Sequence, residues 1–251
     1  MRRLAASFAL LVLLVPGAVL AESDWEQLKR DYAVAYSGGE LLRLSAFFGV
    51  SAILANTDAD QEIRDKWQDD FRGDPQDDIF DFFEEVGNVA HAGLPIFWLV
   101  RGYAERGDKP QLETWADRSF RASLIVIPQH VILREVIGSA RPNEGPSDWD
   151  PFEFSAGVSG HAVYGAVPFM VAAREAESFG GQALWWTLST MSGLSRVHRD
   201  RHYLSQFVAG WGIAWSATRV VKAVDEDRGV GPVSVVPMAD GAMIVATWPL
   251  D

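Results

Sequence analysis

Cysteine is missing altogether from the 251 residues. Its absence excludes disulfide scaffolds, thiolate metal sites and cysteine nucleophiles, so any chemistry here runs on nitrogen and oxygen groups. Positive charge is scarce as well: 22 Lys and Arg stand against 34 Asp and Glu, for a formal net charge of −12. That balance argues against a general nucleic-acid binder, and no nucleic acid is expected as a partner. No G-x-S-x-G elbow occurs, so Ser159 and Ser195 do not read as hydrolase nucleophiles. There are no internal repeats, no low-complexity tracts and no strand-like alternation before residue 230. Past the N-terminal leader, no uncharged run makes a clean membrane span. The longest, Phe154 to Ala173, opens on a turn and holds His161 and Pro168, which points to a soluble or membrane-peripheral protein.

What is present begins with a basic pair, Arg2-Arg3, an uncharged apolar stretch from Leu4 to Leu20, and the small residues of Val19-Leu20-Ala21. This is the pattern of a secretory signal peptide spanning 1–21, cut after Ala21, with an uncleaved anchor as the other reading. Export, to a bacterial periplasm, is therefore expected. In 22–228, after a mixed polar and aromatic opening up to Gly38-Gly39, the apolar residues recur at helical spacing, and the expected architecture is an all-α bundle of six or seven helices. Leu41 to Leu54 reads as a buried helix. Asn56 to Asp78 reads as an exposed one, with Ile63, Trp67 and Phe71 on one stripe and Gly73-Asp74-Pro75 as its stop. The carboxylates from Asp77 to Glu85 lack the glycine turn of a calcium loop and are expected to serve capping and solvation. Further helical segments are Asn88–Tyr103, Trp115–Gly138 with Pro128 as a kink, Gly160–Ala176, Gln182–Leu194 and Tyr203–Val224. In 229–251, Val233–Val236 and Met243–Thr247 flank Asp240-Gly241, a hairpin signal that makes this tail a small β appendage.

In so acidic a chain, arginines gather around the histidines between 134 and 206. Arg134 and Arg141 are seven residues apart, nearly one face of a helix that Pro142 would end. Ser159-Gly160-His161 follows a turn and precedes an apolar run. Ser159 is a suitable N-cap there, and Gly160 lets backbone approach a bound anion. Arg196 precedes His202, and Gln206 stands four residues beyond it on the same helical face, where its amide oxygen can hold one ring nitrogen. Three permanently charged forks and two histidines are what a phosphate-like oxyanion requires. His91, His130 and His198 have no such partners in sequence and read as ordinary histidines, with His130 a turn before Arg134 and able to line a pocket.

The ordered set Arg134-x6-Arg141-Pro142, Val158-Ser159-Gly160-His161 and Ser195-Arg196-x5-His202-x3-Gln206 resembles the three motifs of the type 2 phosphatidic acid phosphatase (PAP2) and vanadium haloperoxidase superfamily. Those read K-x6-R-P, P-S-G-H and S-R-x5-H-x3-D, and the likeness covers roughly residues 40–225. The resemblance implies a PAP2-like helical bundle and a metal-independent, cofactor-free phosphatase that works through a phosphohistidine. His202 would attack phosphorus, and His161 would protonate the leaving group and then activate water. Arg134, Arg141 and Arg196, with the Ser159 and Gly160 amides, would hold the phosphoryl oxygens. Phosphomonoesters or diphosphates, lipid phosphates among them, are the implied substrates. Trp185-Trp186 offers a peripheral membrane contact, with core packing as the other reading. Vanadate-dependent halide oxidation and a phosphate- or phospholipid-binding module without turnover stay open as alternatives. The last is motivated by Gln206, which puts a neutral amide where the family has an aspartate. On sequence grounds alone, Gln206→Asp is expected to raise turnover.

Overall fold

The computed structural model describes residues 22–226 together with 233–238 and 241–246. Among them ten helices follow one another: α1 (Glu22–Ala35), α2 (Gly38–Ala55), α3 (Ala59–Asp70), α4 (Gln76–Ala90), α5 (Gly93–Arg106), α6 (Pro110–Ile137), α7 (Gly160–Tyr164), α8 (Val167–Glu175), α9 (Phe179–His198) and α10 (Leu204–Asp225). Two strands, β1 (Val233–Met238) and β2 (Gly241–Ala246), pair antiparallel, with Val235 opposite Ile244. The protein is therefore an all-α bundle with a small hairpin after it. The expected signal peptide, 1–21, lies outside the described residues.

The two longest helices, α6 and α10, form the centre because their small and β-branched residues leave room for neighbours. Ile125 and Val126 of α6 and Ile213, Ala214, Ala217, Val220 and Val221 of α10 are buried in one cluster with Val163, Val167 and Met170. α5 and α8 pack on α6, α2 packs on α10, and α9 lies against α8 and α4. Phe47 of α2 fits over Gly212 of α10, between the rings of Trp211 and Trp215. Trp186 lies on the core side of α9, 5.9 Å from Trp211 and over Arg174, as core packing requires. At the end of the bundle opposite Arg134, Arg121 of α6 donates from two nitrogens to the fully buried Asp31 of α1, at 2.7 and 2.6 Å, and at 2.7 Å to Asp225 of α10. This fork joins the first helix to the last. Asp31→Ala removes the two charge-assisted bonds of this fork but leaves Arg121 paired to Asp225 and Asp117, and the expected loss is about 1.5–3 kcal/mol in denaturant unfolding.

Several sequence expectations are corrected. Residues 22–35 are helical although their mixed composition gave no helical signal. The long apolar segments break where glycine and proline allow: 88–103 divides at His91-Ala92, and 160–176 divides at Gly165-Ala166 ahead of Pro168. α6 instead runs through Pro128 as one helix. It ends at Gly138, whose φ of +66° closes the helix as a left-handed cap. Arg141 therefore lies beyond the helix in an extended loop, not in its last turn. α2 is not a buried helix either. Leu44, Ser51 and Ala55 face inward, while Leu42, Val50 and Ile53 stand exposed at 73, 51 and 67%. By length and composition α2 is long and apolar enough to cross a membrane.

Candidate functional site

Backbone contacts explain how three separate segments converge. Beyond Gly138, the chain turns back on itself: Phe152 N–H donates to the Glu135 carbonyl, Phe154 to Gly138 and Ala156 to Ser139. A side chain at Gly138 would collide with the Asp150 carbonyl, so only glycine permits this closure. The loop carrying Arg141 is thereby held against the turn carrying Ser159. From the other side, the Arg196 carbonyl at the end of α9 accepts from the amides of Arg201 and His202, at 2.8 and 3.2 Å. The Ser159 N–H donates to the Gln206 carbonyl at 3.0 Å. Sequence positions 139–141, 159–161 and 196–206 thus meet at one end of α7.

Gln206 is the hub of this meeting. Its amide nitrogen donates to the Ala140 carbonyl at 2.6 Å and to Ser139 Oγ at 2.9 Å, and its oxygen accepts from the Tyr203 N–H at 3.2 Å. A carbonyl can only accept and a backbone N–H can only donate, so the orientation of the amide is fixed. The same oxygen is 2.6 Å from His202 Nδ1. Nδ1 must then carry the proton, and a neutral His202 keeps the lone pair on Nε2. Burial, the first cause, and the charges of Arg141 and Arg196 push the ring down to about 3 against the pull of Gln206. His202 is neutral at any ordinary pH.

His161 lies in the first turn of α7, with Nε2 3.1 Å from Asn88 Oδ1. The Glu84 backbone carbonyl also accepts from the ring. Burial, then Arg196, His91 and His202, bring His161 to about 3 as well. Arg196 is ion-paired to Glu84, yet its Nε is buried without a partner, and so is the hydroxyl of Ser159. Buried polar atoms left unpaired mark a place where a ligand oxygen fits. Arg141 is exposed and its backbone N–H donates to Glu144 Oε2 at 2.9 Å, while the charge of its guanidinium reaches both Arg196 and His202. Arg134 has Glu135 on its Nε at 3.0 Å and acts on His130 and Tyr164. Of the three arginines, Arg141 and Arg196 flank His202, and Arg134 sits toward His130.

Two details differ from expectation. The Ser159 amide is occupied by Gln206 and is not available to an anion. The missing Cβ of Gly160 makes room for the rings of His91 and His130, which a methyl group would meet at 2.9 and 3.3 Å. His130 is thus more than an ordinary core histidine. It bonds the Tyr164 hydroxyl at 3.0 Å and the Val158 carbonyl, bracing the turn beside the site.

The largest omission from the sequence reading is α4. Asp77, Asp81, Glu84 and Asn88 recur at helical spacing and fall on one face. They meet His198 (2.6 Å), Arg199, Arg196 and His161 in turn. The carboxylates assigned to capping and solvation instead fasten α4 to the basic end of α9. The signal was available as that spacing, but acidic spacing does not say which basic partner it meets. Gly87, between Glu84 and Asn88, lets α4 lie against His161 and Ser192, where a Cβ would come within 2.3 Å of both.

An all-α bundle that gathers two histidines, two arginines and unpaired buried donors at one end defines a class: a helical protein with a candidate oxyanion site. Residues 119–229 match the model of the PAP2 superfamily, which supports a PAP2 assignment for this segment. The superfamily generally comprises phosphatases. No curated protein and no solved structure matches the chain. Among the described residues no group of three or more His, Asp or Glu is arranged to hold a metal ion.

Proposed function

We propose that this site hydrolyses phosphate esters or diphosphates in two steps through a phosphohistidine. The observation that carries the reading is the fixed Gln206 amide, which leaves the His202 Nε2 lone pair free beside two arginines. In the first step Nε2 attacks phosphorus, the bond to the leaving oxygen breaks, and His161 gives that oxygen a proton. In the second, His161 takes a proton from water, whose oxygen attacks phosphorus and returns the N–P electron pair to His202. Arg141 and Arg196 neutralise the phosphoryl oxygens as charge spreads over them, with Arg134 meeting the distal part of the substrate. Both histidines are neutral in the empty site, so binding of a phosphate dianion restores the basicity of His161 and draws in the proton it later donates.

Lipid phosphates fit the reading better than soluble ones. The exposed apolar face of α2 ends beside the loop of Arg141: Ser147 Oγ donates to the Ala55 carbonyl at 3.2 Å, and the Trp149 amide donates to Asn56 at 3.1 Å. A bilayer touching α2 would present its phosphates near the site, in an exported protein whose overall charge repels dispersed anions.

The test is phosphate release from short-chain and vesicle-borne lipid phosphates and from soluble phosphomonoesters. Each is assayed with vanadate, with a strong chelator and with neither. Release that vanadate inhibits and the chelator leaves intact, with vesicle substrates preferred, is expected. Phosphate binding without release would instead favour a binding module, and peroxide-dependent halide oxidation in the presence of vanadate a haloperoxidase.

A further inference from the structure

In an in-line displacement the leaving group departs opposite the attacking atom, and the water that hydrolyses the intermediate arrives along the same line. Another histidine stands at that mouth of the site, outside the segment matched to the superfamily. His91 caps the end of α4, with its ring 4.8 Å from that of His161 and 4.9 Å from that of Tyr164. Its Nε2 lies 2.9 Å from the place a Cβ on Gly160 would take. Nδ1 is 2.7 Å from the Gly87 carbonyl. A carbonyl can only accept, so Nδ1 carries the proton and the neutral ring keeps its lone pair on Nε2. That lone pair has no partner among the described residues. The other ring at Gly160 is committed on both sides, since His130 bonds the Tyr164 hydroxyl and the Val158 carbonyl. His91 is also exposed, so an acceptor of fixed direction faces the point where water enters.

We propose that His91 is a catalytic residue of the second step, its Nε2 accepting one hydrogen of the attacking water and holding the water oxygen in line with phosphorus. The inference rests on the two-step reading through a phosphorylated His202. A water molecule has two hydrogens. One leaves to the base as the O–P bond forms, while the N–P bond breaks and returns its electron pair to His202 Nε2. The other stays on the oxygen, bonded to His91. An alcohol has a single hydroxyl hydrogen, and that one goes to the base. His91 therefore favours water over an alcohol as acceptor of the phosphoryl group, which makes the site a hydrolase rather than a transferase. The ester oxygen attacked in the first step carries no hydrogen to offer, so His91 matters chiefly in the second.

Three variants separate this role from a structural one. His91→Phe keeps the ring and removes both nitrogens. His91→Asn can still donate to the Gly87 carbonyl but has no acceptor at the Nε2 position, and His91→Gln places an acceptor there. Each is mixed with 4-nitrophenyl phosphate, with and without ethanol, and 4-nitrophenol, phosphate, ethyl phosphate and labelled His202 are followed by rapid quench. His91→Phe and His91→Asn should keep the 4-nitrophenol burst rate within about threefold and slow phosphate release about tenfold, the scale of a lost positioning contact. Phosphorylated His202 should accumulate, the ratio of ethyl phosphate to phosphate should rise by the same factor, and His91→Gln should restore both. That ratio is set within one intermediate, so a loss of folded enzyme does not move it. An unchanged ratio, or a burst that falls as much as phosphate release, would overturn the role of His91. Absence of covalent phosphate on His202 in wild type and variants alike would bring down the two-step reading, and this inference with it.

Discussion

His202→Ala should abolish turnover, by about 10⁴-fold or more, while phosphate and vanadate still bind. Removing a covalent nucleophile costs the whole pathway rather than an increment of it. The groups proposed to hold the anion are untouched, because Arg141 and Arg196 reach the site from a separate loop and a separate helix. Calorimetric binding of vanadate to the variant, beside phosphate release, measures both halves. The site should also remain folded. Gln206 keeps its bonds to Ala140, Ser139 and the Tyr203 amide when the ring is gone. Retention of more than a few percent of wild-type turnover would mean that some other group attacks phosphorus.

Gln206 variants should produce the second largest effect, and here the structure reverses the expectation drawn from sequence. The superfamily pattern suggests that an aspartate would help by stabilising imidazolium. In this protein the amide nitrogen donates to the Ala140 carbonyl and to Ser139 Oγ, and those bonds hold the Arg141 loop. A carboxylate has no donor for either acceptor, and aspartate is one methylene too short to fill the place. Gln206→Asp should therefore lower turnover. The same charge should raise the His202 value from about 3, so the acid limb of the pH–rate profile moves to higher pH, since attack needs the neutral ring. Gln206→Leu leaves the Nδ1 proton and the Ala140 carbonyl unpaired. Turnover should fall by about 10²–10⁴, as when an orienting carboxylate is lost, with about 1–3 kcal/mol of stability. Turnover against pH for both variants on one phosphomonoester checks this. A faster Gln206→Asp enzyme would show that the Ala140 bond is dispensable.

Much of this arrangement was legible in the chain before any coordinates. Periodic apolar residues marked the bundle, and Arg141, His161, Arg196, His202 and Gln206 were singled out by type and spacing, down to the bond between Gln206 and His202. The apolar run ends at Gly138 as α6 does, but the arginine spacing carried the helix on to Pro142, because the left-handed cap that Gly138 forms depends on the returning 150–156 segment. Sequence overstated the burial of α2 because an apolar helix has the same composition whether its outer face meets protein or not. The contribution of α4 was hidden for a different reason. Glu84 and Asn88 act through tertiary pairing across 112 and 73 residues, and nothing in their local pattern distinguishes a clasp on the site from a solvated face. Similarly, the occupation of the Ser159 amide by Gln206 follows from how α10 docks on α7.

The most direct test of the phosphohistidine is to trap it. His161→Ala, which lacks the base for the second step, is mixed with 4-nitrophenyl phosphate, quenched in alkali where phosphohistidine survives, digested and read by mass spectrometry. The account predicts one phosphoryl group on the peptide containing His202, accumulating with a burst of 4-nitrophenol of equal size. Labelling of any other residue, or a burst-free reaction with no covalent phosphate, would contradict it.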